Sequence, residues 1–250
     1  MRSSGTGRIV LWRGGSLWIG RVGEPTGSHA HHAVQITLAL TPGGLRFRMP
    51  DKEWMRFQAA LVPAHQSHAF DARGEIVVHV FTEPESREGR VLQQRYRGIE
   101  PLEGEASRRA AERLGSLFAQ RAPDASLAQE GRTLIRAFAG GNEAVQPLDP
   151  RIARAIELLR TRLGQATRLS EAARSVHLSP ERFRHLFLEQ TGMRFRPYVL
   201  WLRLERALEA YAAGKSLTDA AQAGGFADSA HLSRTFRRMF GVAPASLTIE

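Results

Sequence analysis

The sequence predicts an α+β chain, with a β-rich N-terminal part, then a helix pair, then an all-α C-terminal part. Three observations carry this. Short apolar segments punctuated by Gly and Pro fill the first hundred residues, apolar spacing turns helical from about Glu105, and residues 169–241 hold an internal repeat.

The β candidates are Arg8–Trp12, Ser16–Val22, Ala33–Leu40, Leu45–Met49, Phe57–Val62 and Glu75–Phe81. Short strands at such spacing point to a sandwich or barrel. Two helices are expected next, over Glu105–Arg121 and Ser126–Ala139. Ala110, Leu114, Leu117 and Phe118 share one face of the first, and Leu127, Leu134 and Phe138 share one face of the second. These stripes exceed what one barrel face needs to cover, so the pair is read as a dimerisation element. GGNEAVQPLDP (140–150) reads as a linker, after which Asp149 caps a helix with Pro150 in its first turn. The expected organisation is a barrel over 1–104, the helix pair over 105–140, a linker over 141–149 and a helical domain over 150–250.

A chain of 250 residues with 42% hydrophobic residues supports two modest globular domains. Its net charge of +10 is uneven: residues 151–250 carry 16 Lys+Arg against 9 Asp+Glu, a balance of +7, and residues 1–150 carry the remaining +3. Nearly all the positive charge is Arg, whose rigid fork suits phosphate oxygens and guanine edges. The basic half therefore points to an anionic partner, nucleic acid before membrane. The absence of Cys excludes disulfides, thiol catalysis and Cys-ligated zinc. With no signal-peptide core and no membrane-length apolar run, a cytoplasmic protein is expected.

The repeat is the most specific feature. Leu169–Gly192 and Leu217–Gly241 align, with Leu169 and Ala173 matching Leu217 and Ala221. After the turn, Ser179, Phe183, Phe187 and Gly192 match Asp228, Leu232, Phe236 and Gly241, with one extra residue in the second turn. Ala172-Ala173 and Ala220-Ala221 keep each first helix thin, and Gly224-Gly225 permits a sharp turn. Ser179 and Asp228 are placed to cap each second helix, and Gly192 and Gly241 sit where a C-terminal cap belongs. Helix, tight turn, capped helix is the helix-turn-helix pattern.

At 100° per residue the exposed face of the first capped helix carries Glu181, Arg184 and His185, with Arg182 beside it. That of the second carries Ala230, Ser233, Arg234 and Arg237, with Ser229, His231 and Arg238 at its margins. The central side chains are placed to meet base edges, and Arg182 and Arg238 to reach phosphates. A solvated helical hairpin would explain one such unit. Two in register, both basic and joined by an apolar helix (197–213), favour duplex DNA.

The segment GGFADSAHLSRTFRRMFGVAP resembles the signature of the AraC-type, or arabinose-regulator, transcription factors. FRPYVLWLRLERALEAYAAGKSLTDAA is similar to that family's linker helix leading into its second unit. The resemblance covers about 100 residues from Asp149 on, and it implies a sequence-specific, DNA-binding transcription regulator rather than an enzyme. RNA polymerase would then be a further partner. The family's DNA-contacting positions fall on Glu181, Arg184, His185, Ala230, Ser233 and Arg234. The chain departs from the family at its end, which reads APASLTIE where an aromatic-Arg pair usually follows Pro.

An AraC-type protein with such a leading domain implies an effector-binding barrel and a dimerising helix pair, and the β segments are similar to a cupin barrel. GSHAHHAVQ places His29, His31 and Gln35 near the cupin His-x-His pattern, with Gln in place of Glu. VPAHQSH supplies Pro63 and His68, with His65 where that pattern has Gly. If residues 29–35 form one regular strand, His29, His31 and Gln35 share a face. With His68 they would suit a divalent metal, the one cofactor the sequence raises. The broader expectation is a small-molecule effector pocket lined by His29, His31, Gln35, His68 and aromatics such as Trp18 or Trp54. A cupin metalloenzyme with a DNA-binding tail is the competing reading, weakened by the missing Glu and the Gly-to-His change.

Overall fold

The computed structural model describes residues 5–140, 144–163 and 167–249. They form two compact units, one of residues up to Val145 together with those from Phe236 on, the other of Gln146–Thr235.

In the first unit the strands are β1 (Gly5–Trp12), β2 (Gly15–Val22), β3 (Val34–Ala39), β4 (Leu45–Arg48), β5 (Met55–Phe57), β6 (Ala59–Val62), β7 (Ala69–Asp71) and β8 (Ile76–Thr82). Helix α1 (Arg87–Arg95), strand β9 (Glu100–Pro101) and helices α2 (Glu105–Ala119) and α3 (Asp124–Ala139) follow. A large sheet contains β1, β2, β8, β3, β6 and β9 in that order, and a small one is ordered β5, β4, β7.

The large sheet is buried on both faces, and its period of two sorts the side chains. Leu17, Ile19, Val34, Ile36, Leu38, Leu61, Val78 and Val80 point outward and pack under the helices with Leu114, Leu127, Leu134 and Phe138. Their neighbours in sequence point inward, where Ala39, Ala60, Val62 and Val77 meet Leu45, Phe47 and Phe70 of the small sheet. The unit is thus three-layered, with small sheet, large sheet and helices stacked. The stripes of α2 and α3 pack on their own barrel, with Ala111, Leu117 and Phe118 of α2 left partly buried. Gly131 in α3 shows how close this packing is, because a Cβ there would lie 3.0 Å from the Trp12 ring.

Three sequence expectations need correction. Residues 29–35 are not one strand: β3 starts at Val34, and His29 forms an isolated bridge with His68. Phe57–Val62 is two strands, β5 and β6, belonging to different sheets and parted at Gln58. The C-terminal residues, expected within the helical domain over 150–250, pack from Phe236 on with the barrel. There β10 (Leu247–Ile249) pairs in parallel with β1 and extends the large sheet by its free edge. The LTI of APASLTIE, where the chain departs from the family pattern, is this strand.

The second unit is helical, with α4 (Pro150–Thr161), α5 (Leu169–Ser175), α6 (Pro180–Thr191), α7 (Phe195–Ala212), α8 (Leu217–Ala223) and the start of α9 (Ser229–Phe240). The caps fall where the sequence puts them. Asp149 accepts from the Arg151 N–H, Ser179 from Arg182, and Asp228 from His231 at 2.6 Å. Ala172, Ala173, Ala220 and Ala221 are all buried. Phe183, Phe187, Phe195 and Tyr198 form one aromatic cluster with ring centroids 5.1–5.8 Å apart. The two turns solve one problem differently: Gly225 adopts a φ of 70°, and the first unit puts His177 in the same left-handed region at 57°. Within the linker, residues 144–149 lack regular structure and residues 141–143 lie outside the described residues.

Candidate functional site

Inside the barrel the inward-pointing residues leave a cavity of about 110 Å³. Its wall is mainly apolar, with Ile9, Trp18, Phe70, Val77 and Phe81 from the sheets and Phe240, Val242 and Leu247 from the C-terminal segment. Among the polar residues on its lining, Thr26, His29, Gln35, His68 and His79 are joined by Arg8, Arg21 and Thr248. Register explains the polar row. Thr37 pairs directly with His79 across β3 and β8, and Gln35 with Phe81, so all four point inward together.

His29 and His68 exchange both backbone hydrogen bonds, each of 2.9 Å, which brings two distant loop segments together. Each ring donates Nδ1–H to a carbonyl two residues back, His29 to Gly27 at 2.8 Å and His68 to Gln66 at 2.9 Å. His31 donates likewise to Ala33 at 3.0 Å, and its ring meets Phe81 edge-on at 5.3 Å. The Gln35 amide donates to Thr37 Oγ1 at 2.7 Å and to His79 Nδ1 at 3.0 Å, leaving its Oε1 2.8 Å from His31 Nε2.

These rings are neutral at physiological pH. Burial, helped by the neighbouring His29, pushes His31 and His79 down to about 3. Burial also lowers His29 and, more strongly, His68. His32 points away from the cavity, and its Nε2 donates to Glu85 Oε1 at 2.6 Å while Nδ1 lies 3.0 Å from His65 Nε2. His65 adopts a left-handed φ of 65°, at the position where the cupin pattern carries glycine.

Of the residues expected to line a pocket, Trp18, His29, Gln35 and His68 do so, and His31 stands directly behind them. Trp54 does not; it lies under the guanidinium groups of Arg46 and Arg48, 5.3 and 4.9 Å from its ring centre. Sequence reasoning missed His79, Thr37 and Phe70. The alternation IVVHVF signalled that His79 faces opposite to Val78 and Val80, but not that this face is the interior.

The other candidate residues lie on two helices, α6 and α9, each taken by itself. Arg182, Arg184 and His185 are exposed on α6, as are Arg234, Arg237 and Arg238 on α9. Ser229, Ser233 and His231 are half-buried, and the His231 ring meets Phe226 edge-on at 5.1 Å. On α6 the carboxylate of Glu181 binds both neighbours, pairing with Arg184 and accepting from His185 Nε2 at 2.8 Å. Those contacts hold the Glu181 carboxyl below its usual range.

Residues 172–248 match a family described as a helix-turn-helix domain. A relative in Escherichia coli strain K12, named as an uncharacterised HTH-type transcriptional regulator, YpdC, is 37% identical over 75 residues. That match covers 29% of this chain and 26% of the relative, so the chain spans about a quarter of the relative's length. A crystal structure of ToxT from Vibrio cholerae aligns over 94% of this chain and 96% of its own, with a TM-score of 0.61 and 14% identity. A second ToxT structure, titled as bound to an unsaturated fatty acid, covers 98% and 95% with a TM-score of 0.58 and 13% identity. At such identity the likeness shows the fold.

Proposed function

We propose that this protein is a DNA-binding transcription regulator of the AraC type whose barrel senses a small molecule, a reading supported by the helix-turn-helix family match over residues 172–248. The observation that carries the reading is the pair of capped helices, α6 and α9, each baring Arg beside a thin Ala-Ala helix. Binding would be dominated by phosphate contacts, with Arg184, His185, Ser233 and Arg234 reading bases. As recognition helices, α6 and α9 should enter successive major grooves about 34 Å apart.

The cavity supports the sensing half of the proposal. Its wall is mainly apolar and His29, Gln35, His68 and His79 form one polar group on it, so the effector class it fits is a small, mostly apolar molecule with a polar head. The fatty acid named for one ToxT structure belongs to that class. The site of action would be the cytoplasm, with RNA polymerase as a further partner; no helix among the described residues is long and apolar enough to cross a membrane. A homodimer is part of the proposal.

Footprinting of the full chain on its genomic sites tests the reading. Two protected blocks about ten base pairs apart are expected for each protomer, with affinity falling steeply from low to physiological salt. Salt-independent binding, or no preference for any duplex over random DNA, would overturn it.

A further inference from the structure

We propose that His29, His31 and His68 form a three-imidazole site, completed by the Gln35 amide oxygen, for a divalent ion of borderline softness such as Zn²⁺. Among the described residues, each of the three histidines offers one ring nitrogen, and these atoms lie within 4.8 Å of one another. The rings form a closed set, with centroids 4.2, 5.3 and 5.9 Å apart.

Proton bookkeeping gives the site its character. Carbonyl oxygens only accept, so the contacts of Nδ1 with Gly27 and Gln66 place the proton of the His29 and His68 rings on Nδ1 and leave a lone pair on each Nε2. His68 Nε2 is buried with no hydrogen-bond partner, a cost that buried polar atoms rarely bear. His31 lies between two acceptors, the Ala33 carbonyl at Nδ1 (3.0 Å) and Gln35 Oε1 at Nε2 (2.8 Å), and a neutral ring has one proton for the two. A cation at the cluster resolves that conflict, because His31 keeps its proton on Nδ1 while Nε2 and Gln35 Oε1 both turn lone pairs to the ion.

The donor set selects the ion. Imidazole nitrogen suits Zn²⁺, Co²⁺, Ni²⁺ and Cu²⁺, and the lack of any carboxylate disfavours Mg²⁺ and Ca²⁺. An Nδ1–H anchored on a backbone carbonyl is the outer contact that metal-binding histidines use to fix ring and tautomer. A point equidistant from three atoms 4.8 Å apart lies about 2.8 Å from each, and zinc–nitrogen bonds are about 2.1 Å, so each ring needs to close by less than about 1 Å.

The test uses the full chain, stripped with a chelator and titrated with Co²⁺, then with Zn²⁺ in competition. One equivalent of Co²⁺ with a tetrahedral visible spectrum, displaced by Zn²⁺, is expected. His68→Gln and His31→Gln should each weaken binding about a hundredfold or more, while His177→Asn, at an exposed turn, should leave it unchanged. X-ray absorption of the Zn²⁺-loaded wild-type chain should show at least three imidazole ligands, a reading that does not depend on any variant folding. No stoichiometric uptake, or uptake that survives both ligand variants, overturns the site. In the first case the Gln35 amide is turned so that its nitrogen donates to His31, and the cluster is filled without an ion. DNA binding by the same preparations reports the regulator reading separately.

Discussion

His29 and His68, thirty-nine residues apart, exchange both backbone hydrogen bonds at 2.9 Å, with their rings 4.2 Å apart. With His31 and His79 they bring four imidazoles into one apolar interior, and burial holds each of them neutral. This has a consequence for stability. The unfolded chain takes up protons on these rings as pH falls through about 6.5, whereas the native barrel refuses them down to about 3 for His31 and His79. Stability is therefore level above pH 6.5 and is lost progressively below it.

Each such ring contributes up to about 1.4 kcal/mol per pH unit within that window. His79→Gln removes one titrating group and keeps an amide beside Thr37 and Gln35. Urea midpoints of the chelator-treated chain between pH 7.5 and 5 should show a slope shallower by about one proton for the variant. An unchanged slope would mean that His79 is protonated in the native state.

Gly241 and Gly214 make a controlled pair. Both have positive φ, 73° and 82°. A Cβ on Gly214 would meet nothing within 4 Å, whereas on Gly241 it would lie 2.6 Å from the Gly27 carbonyl and 2.6 Å from His29 Nδ1. Gly214→Ala should cost the backbone strain alone, about 1–2 kcal/mol. Gly241→Ala should cost clearly more, because Gly27 and His29 must also move. It should further disturb the hydrogen bond from the Gly27 N–H to the Gly241 carbonyl, 3.0 Å in length. Equal losses in thermal denaturation would show that the Gly27–Gly241 contact is not formed in solution.

Most of the large sheet was legible because its strands alternate, and the helical repeat because two copies of one pattern check each other. What stayed hidden depends on partners far away in sequence. Strands β7 and β10 have three residues each, too few to show a period, and exist because β4 and β1 offer an edge. His79 became part of the site only through its register opposite Thr37. The sequence suggests one regular strand behind the shared face of His29, His31 and Gln35, but a bridge from His29 to His68 and a loop before Val34 bring these residues together instead. The apolar stripes of α2 and α3 were read correctly as stripes. Which surface they cover is a tertiary fact that spacing alone does not carry.

On α9, Arg234 lies in the middle of the exposed face and Arg238 toward its flank. Arg234→Ala should cost about 1–3 kcal/mol on the specific site and little on random duplex. Arg238→Ala should weaken both nearly equally and lower the salt slope by about one. Filter or anisotropy titrations at several salt concentrations separate the two outcomes. Equal loss on both DNAs for Arg234→Ala would remove it from the bases.

Glu181 makes the opposite prediction on α6. Its carboxylate occupies Arg184 and His185, the two side chains of that helix best placed to read DNA, and it adds a negative charge where phosphates must approach. The pair is fully exposed, so it contributes little to stability, and Glu181→Gln should leave the fold unchanged. It should raise affinity for duplex DNA by about two- to tenfold and steepen the salt dependence by up to about one ion, since Arg184 is then released to phosphate or base. There is one instructive way to be wrong. A glutamate on a recognition helix can accept a hydrogen bond from cytosine N4, and in that case Glu181→Gln would lose affinity on sites with that cytosine and gain on others. Competition between operators differing at single base pairs distinguishes the two roles, because release of Arg184 raises affinity on all of them, whereas a cytosine contact makes the effect change sign at one position.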